Sequence, residues 1–351
     1  MTGAAAMMQF TDALEAARTR DASDVHLVPG MSPVLRVDGR LQPTQDPAIS
    51  AAALAAIASA LLGEKRMAEL RRRGDLTVMV PDRTGGPLRV HVYVAGGGTV
   101  IAVRLLGRAV PSLESLALPA AMSRLPAFER GLVLISGPTG SGKSTTLAAL
   151  VERINDLGAR RIVTIEDPIE YRLAHGRSIV TQRELPSDTP DLAAALHGAL
   201  RADPDVIVVG EMRDAPTMAA ALTAAETGHL VLSTLHTGDA SQTVDRIVDA
   251  FEGVRQSQVR AQLSQVLAAV ACQYLVPRAG GTGRRAVVEL LFCNDAVRNL
   301  IREAKTHQLR NAIATGRREG MQTFEQHAVE LLRNREIGEA DARRFAENAA
   351  A

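Results

Sequence analysis

Two rhythms of apolar positions divide the chain near residue 107. In the first part an amphipathic segment at about residues 8–20 leads into Ser23-Asp24-Val25-His26-Leu27. Pro33–Val37 and Leu41 flank Asp38-Gly39, a strong turn dipeptide, and predict a hairpin. An Ala-rich helix is expected at 51–72, then β-like runs at 76–80, 88–94 and 99–105, the last two joined at Gly96-Gly97-Gly98. Residues 1–106 therefore predict a small α+β domain, and residues 107–119, bracketed by Gly107, Pro111 and Pro119, predict a linker.

Beyond the linker the apolar runs Leu132–Ser136, Ile162–Ile165, Val206–Val209 and Leu230–Leu235 alternate with helical stretches. That alternation predicts an α/β domain over 120–351, with a mostly parallel sheet covered on both faces. Apolar spacing at Val297, Leu300 and Ile301 makes the chain helical again from about residue 295.

Composition narrows the class. A length of 351 residues favours two domains, and 46% hydrophobic residues supply their cores. Aromatics are 3% and Trp is absent, so aliphatic side chains and Ala must do the filling. No window nears the ~18 uninterrupted apolar residues of a membrane span. Met1–Phe10 lacks the basic and apolar regions of a secretory signal. Cys272 and Cys293 are too few for a disulfide framework or a four-ligand zinc site. A soluble, cytoplasmic protein is expected. The net charge of +1 predicts neither nucleic acid nor membrane as partner, and Arg71-Arg72-Arg73 reads as a solvated helix end.

The chemistry concentrates at strand ends. Gly137-Pro138-Thr139-Gly140-Ser141-Gly142-Lys143-Ser144 lies between an apolar strand and a helix, the context in which a glycine-rich loop cradles phosphates. Glycines let backbone N–H groups converge there, and the helix N-terminus adds partial positive charge. Lys143 is expected on the β- and γ-phosphates, Ser144 on Mg²⁺, and Thr145 completes the loop. The strand Asp205–Val209 ends at Gly210-Glu211, which predicts Glu211 as the general base, with glycine where many phosphate-loop enzymes carry Asp. The metal-side carboxylate is sought at Ile162–Ile165, which ends in Glu166-Asp167 and is followed by Glu170. Glu166 is the candidate, and which of Glu166 and Glu211 serves water and which the metal stays open. A fourth strand is flanked by His229 and His236, each a candidate sensor of the γ-phosphate.

Four blocks in order, Gly137–Ser144, Ile165–Tyr171, Gly210–Asp214 and Thr227–Thr237, resemble the Walker A, Asp box, Walker B and His box of the type II secretion and type IV pilus ATPases. The likeness runs over roughly residues 20–335. Ala22–Leu27 and Arg36–Gly39 are similar to the start of the N-terminal domain of the pilus-retraction branch, and Ala296–Glu303 is similar to its AIRNLIRE motif. The four-cysteine insertion common in the assembly and secretion branches is absent. The resemblance implies a RecA-like P-loop ATPase domain behind a PAS-like α+β domain, using ATP and Mg²⁺. It also implies a homo-hexamer at the cytoplasmic side of the inner membrane, with a pilus platform protein and a paralogous retraction ATPase as partners, and no nucleic acid. Arg89 and Arg104 are expected as arginine fingers, with Arg201 and Arg213 as interface contacts. The function the resemblance implies is an ATP-hydrolysing motor for type IV pilus retraction, with pilus assembly or type II secretion as the alternative and a nucleic-acid motor ranked well below both.

Overall fold

The computed structural model describes residues 3–37, 39–81, 88–105 and 110–347, so Asp38 and Gly107 lie outside the described residues. The chain divides into two units, Met1–Arg108 and Ala109–Ala351.

The first unit contains α1 (Gly3–Thr19), β1 (Asp24–Leu27), β2 (Val34–Val37), β3 (Arg40–Pro43), α2 (Ala51–Arg73), β4 (Asp75–Val80), β5 (Leu88–Ala95) and β6 (Gly98–Leu105). Its sheet is antiparallel, in the order β3-β2-β1-β6-β5-β4. Ser50 caps α2 by accepting from the Ala53 N–H, and Gly74 closes it in the left-handed conformation. Gly96 and Gly97, both at positive φ, form the two-residue loop between β5 and β6, which only glycine fills without strain. Alternation then sorts the side chains. Val90 and Val92 join the core with Leu54 and Ile57, which leaves Arg89, His91 and Tyr93 on the other face.

The second unit runs β7 (Gly131–Ser136), α3 (Lys143–Leu157), β8 (Arg161–Glu166), β9 (Ile179–Glu184), α4 (Leu192–Ala199), β10 (Val206–Val209), α5 (Ala215–Glu226), β11 (Leu230–Leu235), α6 (Ala240–Asp249), α7 (Arg255–Val266), β12 (Leu267–Pro277), β13 (Arg284–Phe292), α8 (Asp295–Arg302), α9 (Leu309–Thr315), α10 (Phe324–Arg333) and α11 (Glu339–Glu347). The sheet order is β13-β12-β7-β11-β10-β8-β9, parallel throughout except for the edge strand β13. Every residue of β7, β10 and β11 is buried, as expected for strands covered on both faces. The connections β7–α3–β8 and β10–α5–β11 cross the sheet in opposite directions, so right-handed crossovers put α3 and α5 on opposite faces.

Three strands of this sheet, β9, β12 and β13, were not among the expected runs. In β12 and β13 the apolar pattern is broken by Gln273 and Glu289, both buried. The segment containing Ala296–Glu303 is α8. Asn294 caps it, Val297 and Ile301 face the core, and Arg298 reaches back to the Ser264 carbonyl at 2.8 Å, near the C-terminus of α7. Arg298 is therefore a helix-end clasp in this fold.

Candidate active site

A parallel sheet delivers side chains to one edge, and the register here aligns that edge closely. Leu235 pairs with Ser136, and Val209 pairs with both Ile165 and Ser233. The residues just past β7, β11 and β8, Gly137, His236 and Asp167, therefore emerge beside Glu211, which follows β10 after Gly210. Hydroxyls stitch the strand ends together. Ser136 Oγ faces the Leu235 and Thr237 carbonyls as donor, accepts from the Thr237 N–H, and lies 2.6 Å from Thr237 Oγ1. Thr234 Oγ1 donates to the Gly210 carbonyl at 2.6 Å.

Sheet order also sets the order of contacts. Lys143, at the first position of α3, is buried and donates to the carbonyls of Gly137 (2.7 Å) and Pro138 (3.0 Å). Its ammonium also lies 3.2 Å from His236 Nδ1, and His236 Nε2 lies 3.2 Å from Glu211 Oε1. Glu211 Oε2 accepts from Arg213 Nε at 2.9 Å, and Arg213 approaches Asp167 at 3.9 Å. A continuous chain thus runs from the loop lysine to the strand-end carboxylate. Burial holds the Lys143 ammonium below the ordinary lysine range, with Glu211 and Glu170 pulling the other way.

The backbone of the loop is shaped for an anion. Gly137, Gly140 and Gly142 sit at φ 141°, 79° and 88°, and a Cβ on Gly137 would stand 2.2 Å from the Gln273 carbonyl oxygen. Thr145 Oγ1 is 2.8 Å from Tyr171 Oη, which ties the start of α3 to the segment after β8. Ser144 is half-buried at the second position of α3. Lysine, glycine backbone and helix N-terminus fit a triphosphate. The hydroxyl of Ser144 with nearby carboxylates is an all-oxygen set of the kind that suits Mg²⁺, which relies on phosphate and water for its remaining ligands. Among the described residues no cluster of three or more His, Cys, Asp or Glu is placed to cage a metal on its own.

One sequence assignment changes, and a second stays as open as the sequence left it. The structure does not bring His229 to the loop. It precedes β11, where its carbonyl accepts from the Gly131 N–H at the start of β7. Its ring packs on the C-terminal turn of α5, with Nδ1 3.0 Å from the Ala224 carbonyl. A six-residue strand at ~3.3 Å per residue puts it about 20 Å from the C-terminal edge. Only His236 shares that edge. Glu166 does end β8 at the edge, but its Oε1 accepts from Thr164 (2.6 Å) and Gln182 (3.1 Å), on the β9 side. Burial raises its pKa, and those two hydrogen bonds offset part of the rise. Glu211, not Glu166, is the carboxylate joined to the loop lysine.

Arg89 and Arg104 lie directly opposite one another on β5 and β6. Arg104 Nε donates to Asp24 Oδ1 at 2.9 Å, and Arg36 lies 4.0 Å from the same carboxylate. Asp24 thus offsets the repulsion of two facing guanidinium groups. Arg201 is exposed in the turn after α4, and Arg213 takes part in the strand-edge chain described above. The sequence reading did not single out Ser136, Thr237, Tyr171 or Gln273. Only the fold brings each to the loop.

The sequence signature described as "Type II/IV secretion system protein" matches residues 3–342. The chain is 43% identical over 319 residues to the "Twitching motility protein" of Neisseria gonorrhoeae, covering 90% of this chain and 85% of that one. It is 40% identical over 338 residues to the "Type IV pilus retractation ATPase PilT" of Pseudomonas aeruginosa, covering 96% and 97%. The crystal structure of the pilus retraction motor PilT with bound ADP superposes with a TM-score of 0.84 at 41% identity, covering 94% of each chain.

Proposed function

The chain belongs to the family of type II/IV secretion system proteins, and within it we propose a motor that hydrolyses ATP and retracts a type IV pilus. The observation that carries the ATPase reading is the Lys143–His236–Glu211 chain along one aligned sheet edge. Retraction is supported by the likeness, over at least 85% of their length, to relatives named for twitching motility and pilus retraction.

ATP with Mg²⁺ supplies the phosphoanhydride and the counter-charge at this site. The chain's own residues do the rest. Gly137–Thr145 turn backbone donors toward the phosphates, and Lys143 exchanges its two loop carbonyls for phosphate oxygens. Glu211, an acceptor-only carboxylate, orients a water and takes its proton. His236, held by Lys143 on one nitrogen, fixes Glu211 with the other. Ser144 would supply a hydroxyl ligand to the metal, and Glu166 would add a carboxylate beside it. Arg89 and Arg104 neutralise charge on the transferred phosphoryl group, a role worth ~10³–10⁵ in rate in GTPases.

The motor works as a homo-hexamer, cytoplasmic and peripheral to the inner membrane, on a pilus platform protein, with a paralogous retraction ATPase as a second partner. Among the described residues no helix is long and apolar enough to cross a membrane. The test is deletion of the gene followed by counts of surface pili and twitching. Excess pili without twitching supports retraction. Loss of pili would instead assign the chain to assembly.

A further inference from the structure

We propose that Gln273 is a positioning residue for nucleotide binding: its side-chain amide latches the orientation of the Ser141–Gly142 peptide and so decides whether the phosphate loop offers its full set of N–H donors. Gln273 lies in the interior of β12, 1% exposed, with Cys272 buried beside it. An amide is costly at such a position unless both ends are satisfied. Both are. Nε2 donates to the Ser141 carbonyl at 2.7 Å, and Oε1 accepts from Thr146 Oγ1 at 3.0 Å.

Chemistry fixes the direction of these bonds. Ser141 presents a carbonyl, so only the amide nitrogen can face it. Oε1 is then left for Thr146, whose hydroxyl must donate. One side chain thereby ties the last turn of the loop to the first turn of α3.

The consequence follows from peptide geometry. In a planar trans peptide the C=O and the following N–H point in opposite directions. Pinning the Ser141 carbonyl toward β12 turns the Gly142 N–H away from β12, toward the open side of the loop. Gly142 has φ 88°, and glycine tolerates the peptide in either orientation. Ser141 Oγ has no hydrogen-bond partner among the described residues and does not hold the peptide. The loop backbone is also seated against β12, since a Cβ on Gly137 would meet the Gln273 carbonyl oxygen and one on Gly142 would come 3.1 Å from Gln273 Nε2. Without the amide the 141–142 peptide is free to flip and the Gly142 donor leaves the cradle.

The experiment titrates the full-length chain and its variants with a fluorescent ADP analogue, so the readout needs no turnover, and records thermal unfolding alongside. Gln273→Met keeps the volume and removes both bonds, and it is expected to weaken binding about tenfold. Gln273→Glu keeps the shape but sets an acceptor against the Ser141 carbonyl, and it should bind at least as weakly. Thr146→Val frees Oε1, lowers affinity by a smaller factor, and adds nothing to Gln273→Met, where the Thr146 bond is already gone. Unchanged affinity in Gln273→Met with a lowered melting temperature would make the residue merely structural and overturn the latch. Additive losses from Thr146→Val would overturn it too. If the β12 variants do not fold, Thr146→Val alone decides, and wild-type affinity there refutes the latch. Lys143→Ala is the reference: if it also binds normally, the loop is not the phosphate site and the latch falls with that assignment.

Discussion

His236 Nε2 stands 3.2 Å from Glu211 Oε1 while the Lys143 ammonium faces the other ring nitrogen at the same distance. A lysine ammonium can only donate, so Nδ1 accepts and the ring proton sits on Nε2, pointing at Glu211. An amide oxygen at position 211 could accept that proton equally well. Glu211→Gln should therefore keep the fold and nucleotide affinity while lowering kcat by about 10²–10⁴. Steady-state ATPase assays beside nucleotide titration check this, and retained turnover would remove Glu211 as the base. His236→Ala should lower kcat more than affinity.

Gly137→Ala is expected to abolish nucleotide binding. Its φ of 141° is strained for any side chain, and the new Cβ would collide with the backbone of β12, which cannot step aside as a flexible side chain could. Gly140→Ala meets no atom within 4 Å and carries only the backbone strain of φ 79°, so it should bind more weakly than wild type but measurably. Calorimetric titration of both variants gives the contrast.

The facing arginines are separable by stability. Arg104→Ala leaves the Asp24 carboxylate without its 2.9 Å partner and should cost about 1 kcal/mol of stability besides activity. Arg89→Ala relieves a like-charge pair and should leave the melting temperature unchanged or slightly higher. If Arg89 acts on a nucleotide, its loss lowers ATPase turnover by about 10³ without loss of stability.

Glu289 makes a prediction about pH. Burial raises its pKa from 4.5 to about 7; Asp239 and Glu325 add to the rise, while the Ala240 N–H and Arg310 oppose it. Between those values the unfolded chain has released a proton that the folded chain still holds, so the carboxyl destabilises the fold progressively as pH rises and fully above about 7. The penalty reaches about 3 kcal/mol. Glu289→Gln, whose carbonyl can still accept from Ala240, should raise the melting temperature clearly at pH 8 and little near pH 5. Equal gains at both values would show that charge is not the cause.

The loop and its carboxylate were legible because their physics is local. An apolar run followed by glycines, or by a glutamate, announces a strand end in a parallel sheet wherever it occurs. The same logic applied to strand direction would have separated the histidines, since only the residue after β11, His236, can reach the C-terminal edge. The strands β12 and β13 were hidden by the buried polar residues that interrupt them. Gln273 breaks the apolar pattern because the phosphate loop needs its amide, and Glu289 because the N-terminus of α6 takes its carboxylate. Contacts such as Arg104 with Asp24, 80 residues apart, have no signature in spacing at all.

The pairing of Ser136 with Leu235 spans 99 residues of chain, and the other neighbour of β7, β12, comes later still. A ribosome adding ~5–20 residues per second leaves β7 without a hydrogen-bonding neighbour for roughly 5–20 s. During that interval the apolar segment that will carry the phosphate loop is an open strand edge. The stretch most exposed to aggregation while the protein is being made is the one that later anchors its chemistry.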